Sequence, residues 1–458
     1  MRQLALAALC LVAATRAAAA QEPPTPTPGE EVARAFDRAV GVPGGLTADQ
    51  AASRARRISP AVAARRAEVA VAESELAQTR LEFLPQTTLS ARYTRLSPVG
   101  DTTIEGLPVM ASLPGPLEDQ WSFGALVAVP LSDYPLRYRH ATSARRHEVS
   151  AAGHLSAAES RRAAAGARRA YYEWARARLA IIVAEKSFVQ AADHRAMAEK
   201  RLAASTVTRA DLLLAEARVA EREQLVVRAR AGASVAERQL RIAIGEPEGG
   251  SPLAVGEDVL ADLPPVASGE ALVGSALAAR HELRALDENL DAIADQDRLE
   301  RAGLLPRLDL IGNLAYADPH PRLFPQEDEF RTVWDVSAVL SWSLDGAARA
   351  RQARTTLAAR HRQVDAERRQ VRDGVTLEVT AAAARVTEAT HAIDASRRAL
   401  AAAEEGYRVR QRLYEVGSAS STELGDAETE VTRARFGLID AHIDLRIARV
   451  ELDLAAGR

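Results

Sequence analysis

The chain has 458 residues, a formal net charge of -3 and only 4% aromatic residues, and Ala and Arg dominate it. That composition argues against ordinary globular domains and for long helices with narrow apolar seams. The arginines are interspersed with acids, which excludes a nucleic-acid-binding surface; the scarcity of lysine (Lys186 and Lys200 alone) reads as codon usage.

Met1–Ala20 has Arg2 ahead of an apolar run from Leu4 to Ala14 and a small-residue end, Ala17–Ala20, the pattern of a secretory signal peptide cut near Ala20-Gln21. Cys10, the sole cysteine, lies inside it, and Leu9 stands where a lipoprotein cleavage box needs a small residue. An exported, cysteine-free mature chain is expected, with no disulfide, thiolate metal site or cysteine nucleophile. No later segment holds 18 uninterrupted apolar residues, so no membrane-spanning helix is expected. Residues 21–45 form a proline-rich leader.

Leu46 to about Phe83 reads as one helix, stopped by Leu84-Pro85. From Gln86 the period changes to two: Leu89, Ala91 and Tyr93 alternate with Ser90, Arg92 and Thr94. This predicts a strand at about 86–97, a loop over 98–119, and a second strand at about 120–131 with Phe123, Ala125, Val127, Val129 and Leu131 on one face. A proline-free run then predicts a helical hairpin over about 137–245, with its tip at Ala203–Thr208. Residues 246–268, rich in Gly and Pro, mark the middle of the molecule.

The same order then returns over 269–458, with strands at about 306–317 and 333–344 and a hairpin over about 347–456. Leu84-Pro85 matches Leu305-Pro306 at an offset of 221, and past the strands the offset settles at 212. Leu212, Val219, Val226, Ala233 and Leu240 thereby match Leu424, Val431, Leu438, Leu445 and Leu452. Val379, Val386, Ile393, Leu400, Tyr407 and Tyr414 recur every seven residues as well. A seven-residue apolar repeat keeps one seam of a helix against a partner, and a shared register makes this an internal duplication. At ~1.5 Å per residue each long helix would reach about 100 Å, matched by two short helices stacked end to end.

Each half thus supplies two strands whose length and alternation suit a tilted membrane strand. The alternative is a small sheet packed on the helices. Four strands cannot close a barrel, and lipid does not tolerate open edges, so membrane strands would require several chains to share one barrel.

The duplicated order helix, Leu-Pro, strand, loop, strand, long helix, tip, helix resembles the TolC-type outer-membrane efflux proteins, over about residues 46–457. The closest matches are the two Leu-Pro pairs, Leu344-Asp345-Gly346, and the tip running from Tyr414 through Gly417 to Glu423. The resemblance implies an α+β membrane channel-tunnel. Its unit is duplicated, with long coiled-coil helices and two transmembrane β-strands per repeat. Three copies would make a twelve-stranded β-barrel joined to a twelve-helix α-barrel. It also implies a homotrimer in outer-membrane lipid of a Gram-negative bacterium, tips meeting a periplasmic adaptor, and an inner-membrane pump. No cofactor, metal or nucleic acid is implied.

On that reading the adaptor-contact tips are Leu202, Ala204, Ser205 and Thr206, and Tyr414, Val416, Gly417 and Ser418. Ser205 stands where the second copy has Gly417, a departure from equal tips. Asp211, Glu415, Glu423 and Asp426 are candidate gate acids, although Asp211 and Glu423 also suit helix caps. Tyr93, Trp121, Tyr316, Trp334 and Trp342 are expected at the membrane interface. His140, His147 and His154 share a helix face but lie about 10 Å apart, too far to share an ion, and read as solvated surface residues. No phosphate loop, metal cluster or nucleophile elbow supports an enzyme. The expected function is a passive exit duct for efflux or type I secretion, with drug, metal ion and polypeptide all open as cargo. The alternative is a periplasmic coiled-coil adaptor or scaffold without a barrel.

Overall fold

A computed structural model describes residues 35–458 except 37, 101, 105–110, 114, 248–249, 267–268 and 324–326. The expected signal peptide, and residues 21–34 of the expected leader, lie outside them. The end of that leader is packed: Val42 N–H donates to Val255 O at 2.9 Å and Leu46 N–H to Ala254 O at 2.8 Å.

Helix α1 (Ala48–Ile58) opens with a capping box between Thr47 and Gln50. Helix α2 (Pro60–Glu82) follows after one residue. The single helix expected from Leu46 to Phe83 is therefore two. Pro60 lacks the N–H an uninterrupted helix needs, and it sets Ser59 at φ -55°, ψ 125°. The second half breaks at the equivalent place without a proline, between α5 (Gly269–Ala279) and α6 (His281–Ala302), at Arg280. There the Arg280 guanidinium donates to Leu454 O at 3.1 Å and to Glu378 at 2.8 Å. Packing of the chain's last helix holds this break where covalent chemistry holds the first.

The strands are β1 (Gln86–Arg95), β2 (Thr102–Ile104), β3 (Ala111–Leu113), β4 (Asp119–Val129), β5 (Arg307–Asp318) and β6 (Arg331–Ser341). Four of them form one antiparallel sheet in the order β1-β4-β5-β6. The first loop, expected to be irregular, contains the small β2–β3 hairpin. Register stacks Tyr93 on Trp121, Ala91 on Phe123 and Leu89 on Ala125. It continues Phe123 onto Tyr316, Ala125 onto Leu314, and Leu314 onto Trp334. One face is thus apolar across all four strands, and Leu89, Trp334, Val336 and Leu340 on it are 62–78% exposed.

A π turn (Tyr134–Tyr138) leads into α3 (Arg139–Ala203), which runs 65 residues, about 98 Å, and returns through α4 (Arg209–Ile244). In the second half α7 (Leu344–Glu415) runs 72 residues and returns through α8 (Ser421–Ala455). Helix α3 packs on α1, α2 and α4 to one side and on α6 and α8 to the other, while α7 packs on α5, α6 and α8. The wall is four columns wide: α2 above α4, then α3, then α6 above α8, then α7.

The largest core lies at the waist, where short helices meet. Trp174, Tyr171, Leu179 and Leu240 are fully buried there. Residues 250–264 strap the waist: Arg446 donates to Val259 O at 2.7 Å, Asp258 O at 2.6 Å and Ala261 O at 3.2 Å. Arg241 holds Ser251 O at 2.9 Å, and Glu257 accepts from Ala48 N–H at 2.6 Å. A Cβ on Gly256 would stand 2.4 Å from Gly45 O, so this clasp requires glycine.

The three α3 histidines are not solvated surface residues. They line the α3–α6 seam, because the face they share is the one α6 covers. His147 Nδ1 lies 2.7 Å from Glu288, His140 Nδ1 lies 3.4 Å from Asp295, and His154 stacks on His281 with Nδ1 atoms 3.2 Å apart. Burial, then the charges of Arg161, His154 and Arg284, hold His281 below the usual histidine value of 6.5. Such a histidine binds its proton more readily in the unfolded chain, so stability is withdrawn as pH falls through 6.5. The melting temperature should drop from about pH 7.5 to about pH 5.5, and His281→Gln should remove part of that drop. Equal drops in circular-dichroism melts of the two proteins would refute this.

Candidate functional site

Two regions collect the candidate residues, the free tips of the hairpins and the apolar face of the sheet. At the tips both turns use the same backbone. Gly417 has φ +81° and Ser205, its counterpart, has φ +58°, the one non-glycine in that region among the described residues. Ser205 therefore makes the same turn at a cost of order 1 kcal/mol. Ala204, Ser205, Thr206, Val416, Gly417 and Ser418 are exposed and Leu202 is half-buried.

Tyr414, expected as a tip contact, is instead 1% exposed. It is the last residue of its heptad seam, and the seam takes it inward. Arg201 lies 4.7 Å over its ring and also donates to its carbonyl, while His194 stands edge-on at 5.3 Å. Asp211 and Glu423 are the third residues of capping boxes. Asp211 accepts from Thr208 N–H at 2.9 Å and Glu423 from Ser420 N–H at 2.7 Å. Hydrogen bonds from the Thr208 hydroxyl and N–H, and from the Ser420 N–H and hydroxyl, hold both carboxyls below their usual range. Asp426 pairs with Arg218 of the other hairpin at 3.3 Å, and Glu415 is exposed at the end of α7.

The groups that join the hairpins follow no heptad or capping pattern. Arg218 donates to Thr422 O at 3.3 Å, and Arg201 reaches Tyr414 O. Just above, His194 of α3 lies 3.2 Å from Ser421 Oγ and 3.4 Å from Glu428 of α8. These three share the order of a hydrolytic triad, but they are 2–6% exposed and open to no substrate. A signal was available: Arg201 and Arg218 fall where the second copy has Leu413 and Glu430, so the copies differ where they touch.

On the sheet, Tyr93 and Trp121 rings lie 4.5 Å apart and Tyr316 stacks on Phe330 at 4.8 Å, all near the ends joined by the loops. Trp334 is 71% exposed beside them. Trp342 follows the opposite end of β6, with its indole N–H donating to Leu304 O at 3.3 Å. Trp334 and Trp342 are eight residues apart, about 26 Å of extended chain. Among the described residues no group of three or more His, Cys, Asp or Glu side chains is placed to hold a metal ion. No described helix is long and apolar enough to cross a membrane.

The sequence matches the profile of the family described as outer membrane efflux protein over residues 51–246 and 272–458. No curated protein sequence matches it significantly. Among solved structures it is similar to the outer membrane channel CmeC of Campylobacter jejuni, with a TM-score of 0.74 and 13% identity over 96% of this chain and 90% of that one. It is similar to the outer membrane protein VceC of Vibrio cholerae, with a TM-score of 0.73 and 17% identity over 90% and 96%. The open-state outer membrane channel MtrE of Neisseria gonorrhoeae gives 0.72 and 16% over 90% and 88%. At these identities the structures establish the fold, a helical tunnel wall joined to β-strands.

Proposed function

Since the chain belongs to the outer membrane efflux protein family, we propose that it is the outer-membrane exit duct of a tripartite efflux or type I secretion system. It conducts substrate passively from an inner-membrane pump and periplasmic adaptor to the exterior. The observation that carries this reading is a pair of open edges on opposite sides of one protomer. The sheet ends in β1 on one side and β6 on the other, and the helical wall ends in the α2/α4 column and in α7. Because β1 follows α2 and β6 precedes α7, each open strand lies on the same side as its open helices. Head-to-tail contacts of this kind close into a ring when the rotation from copy to copy divides a full turn. Three copies give twelve antiparallel strands and a wall twelve columns wide, with the apolar sheet face turned to lipid.

The tips form the gate. Arg201 and Arg218 hold one hairpin to the other, and the exposed turns Ala204–Thr206 and Val416–Ser418 meet the adaptor. Glu415 and Asp426 ring the mouth in three copies. The decisive experiment is separation of the membranes followed by mass-calibrated chromatography in mild detergent. A heat-sensitive trimer in the outer membrane is expected; a detergent-free periplasmic monomer would leave a coiled-coil adaptor or scaffold instead. In planar bilayers the Arg201→Ala/Arg218→Ala channel should conduct severalfold more than its parent, since two inter-hairpin contacts of ~1 kcal/mol each are lost in every protomer. Unchanged conductance would remove these arginines from the gate.

A further inference from the structure

We infer that the outer mouth of the barrel carries its own constriction, made by residues 319–323 folded inward and latched by Arg322 onto Asp335. This rests on the barrel reading above. Asp335 lies between Trp334 and Val336 on β6, so it belongs to the opposite face, the one turned to the lumen. Its cross-strand partner on that face is Asn313, whose amide lies 3.4 Å from it. Asp335 stands four residues inside the outer end of β6, a depth of about 13 Å along the strand. Arg322 nonetheless reaches it with a hydrogen bond of 2.6 Å. A loop that stayed above the rim could not make this contact.

Burial agrees. Ala317, at the last lumen-side position of β5, is 1% exposed, and His320 is 2% exposed. Bare strand there would be open to the lumen, and the inward segment covers it. His320 fixes the bend, since its Nδ1 accepts from the Arg322 N–H at 3.2 Å. The ion pair itself is half exposed, with side chains 54% and 38% accessible, so the latch is weak enough to open. Three copies place three such segments in a twelve-stranded lumen, where they restrict bulky solutes more than small ions.

A single reporter thiol tests this directly, because Cys10 in the expected signal peptide is the sole cysteine of the sequence. Ser337 lies on the lumen face two residues deeper than Asp335. Intact cells carrying Ser337→Cys are treated with a small charged maleimide or with a maleimide bearing a polyethylene glycol chain. The small reagent should react at similar rates in all backgrounds. The bulky one should react about threefold faster with Arg322→Ala or Asp335→Asn, and the double variant should be no faster than either single one, as one shared contact requires. Equal bulky-reagent rates in parent and variants, with normal small-reagent reaction, would overturn the constriction. Failure of both reagents to reach Ser337→Cys would instead overturn the barrel.

Discussion

Val336→Arg is expected to abolish assembly, whereas Ser337→Arg, one residue along, is expected to be tolerated. Val336 sits at the middle of β6, opposite Gly312, and is 62% exposed on the apolar face. A cationic side chain at the lipid midplane costs ~2–4 kcal/mol per copy. Three copies raise this to ~6–12 kcal/mol per assembly, comparable to the whole stability of a domain. Ser337 pairs with Ile311 on the opposite face, the one the proposed barrel would turn to its lumen, where a charge would stay in water. The readout is the amount of heat-sensitive trimer in outer membranes. If the face met solvent, Val336→Arg would be the more soluble protein of the two, and that result would remove the membrane from the account.

Trp174→Ala should be the most damaging single truncation at the waist, at ~3–5 kcal/mol, because no neighbour can collapse into the volume it leaves. Trp174 is 0% exposed among Tyr171, Leu179 and Leu240, with the strap closed over them. Trp174→Phe should cost less than ~1.5 kcal/mol. The reason is specific: no acceptor among the described residues takes the indole N–H, so its loss removes an unsatisfied buried donor. The temperature at which the oligomer dissociates in detergent should fall steeply for the first variant and little for the second. Equal falls would overturn this account, since they would mean that the indole nitrogen makes a bond that Phe cannot replace.

The sequence made the architecture legible wherever local chemistry decides it. Leu84-Pro85 and Leu305-Pro306 end helices covalently, alternation through Tyr93 and Trp121 marks strands, and the heptads place Val379, Val431 and Leu445 in seams that are buried. Pro60 is legible in the same way, since a proline cannot supply the N–H that a continuous helix needs there. The break at Arg280 was not legible, because its cause is a contact with Leu454, 174 residues away. Tyr414 fitted two readings, seam and tip, and the period of seven was the stronger. Arg201 on Tyr414, Arg218 on Asp426 and His147 on Glu288 join segments 141–213 residues apart. Helical and heptad spacings do not reach that far, and the duplication offset marks where the copies differ but not which side chains meet.

The strap at the waist turns each hairpin into a lever. From Trp174 to Ala203 is 29 residues of unbroken α3, an arm of roughly 44 Å hung from a fixed fulcrum. Tilting it by about 5° about the waist moves the tip by roughly 4 Å, an amplitude proper to hinge motions. Done in concert around a threefold axis, that would widen the aperture by about 8 Å while the sheet stayed still. The short helices are broken at corresponding places in the two halves, Ser59 and Arg280. On the proposed gating, a slight rotation at the middle of the molecule would thus become a wide excursion at its far end.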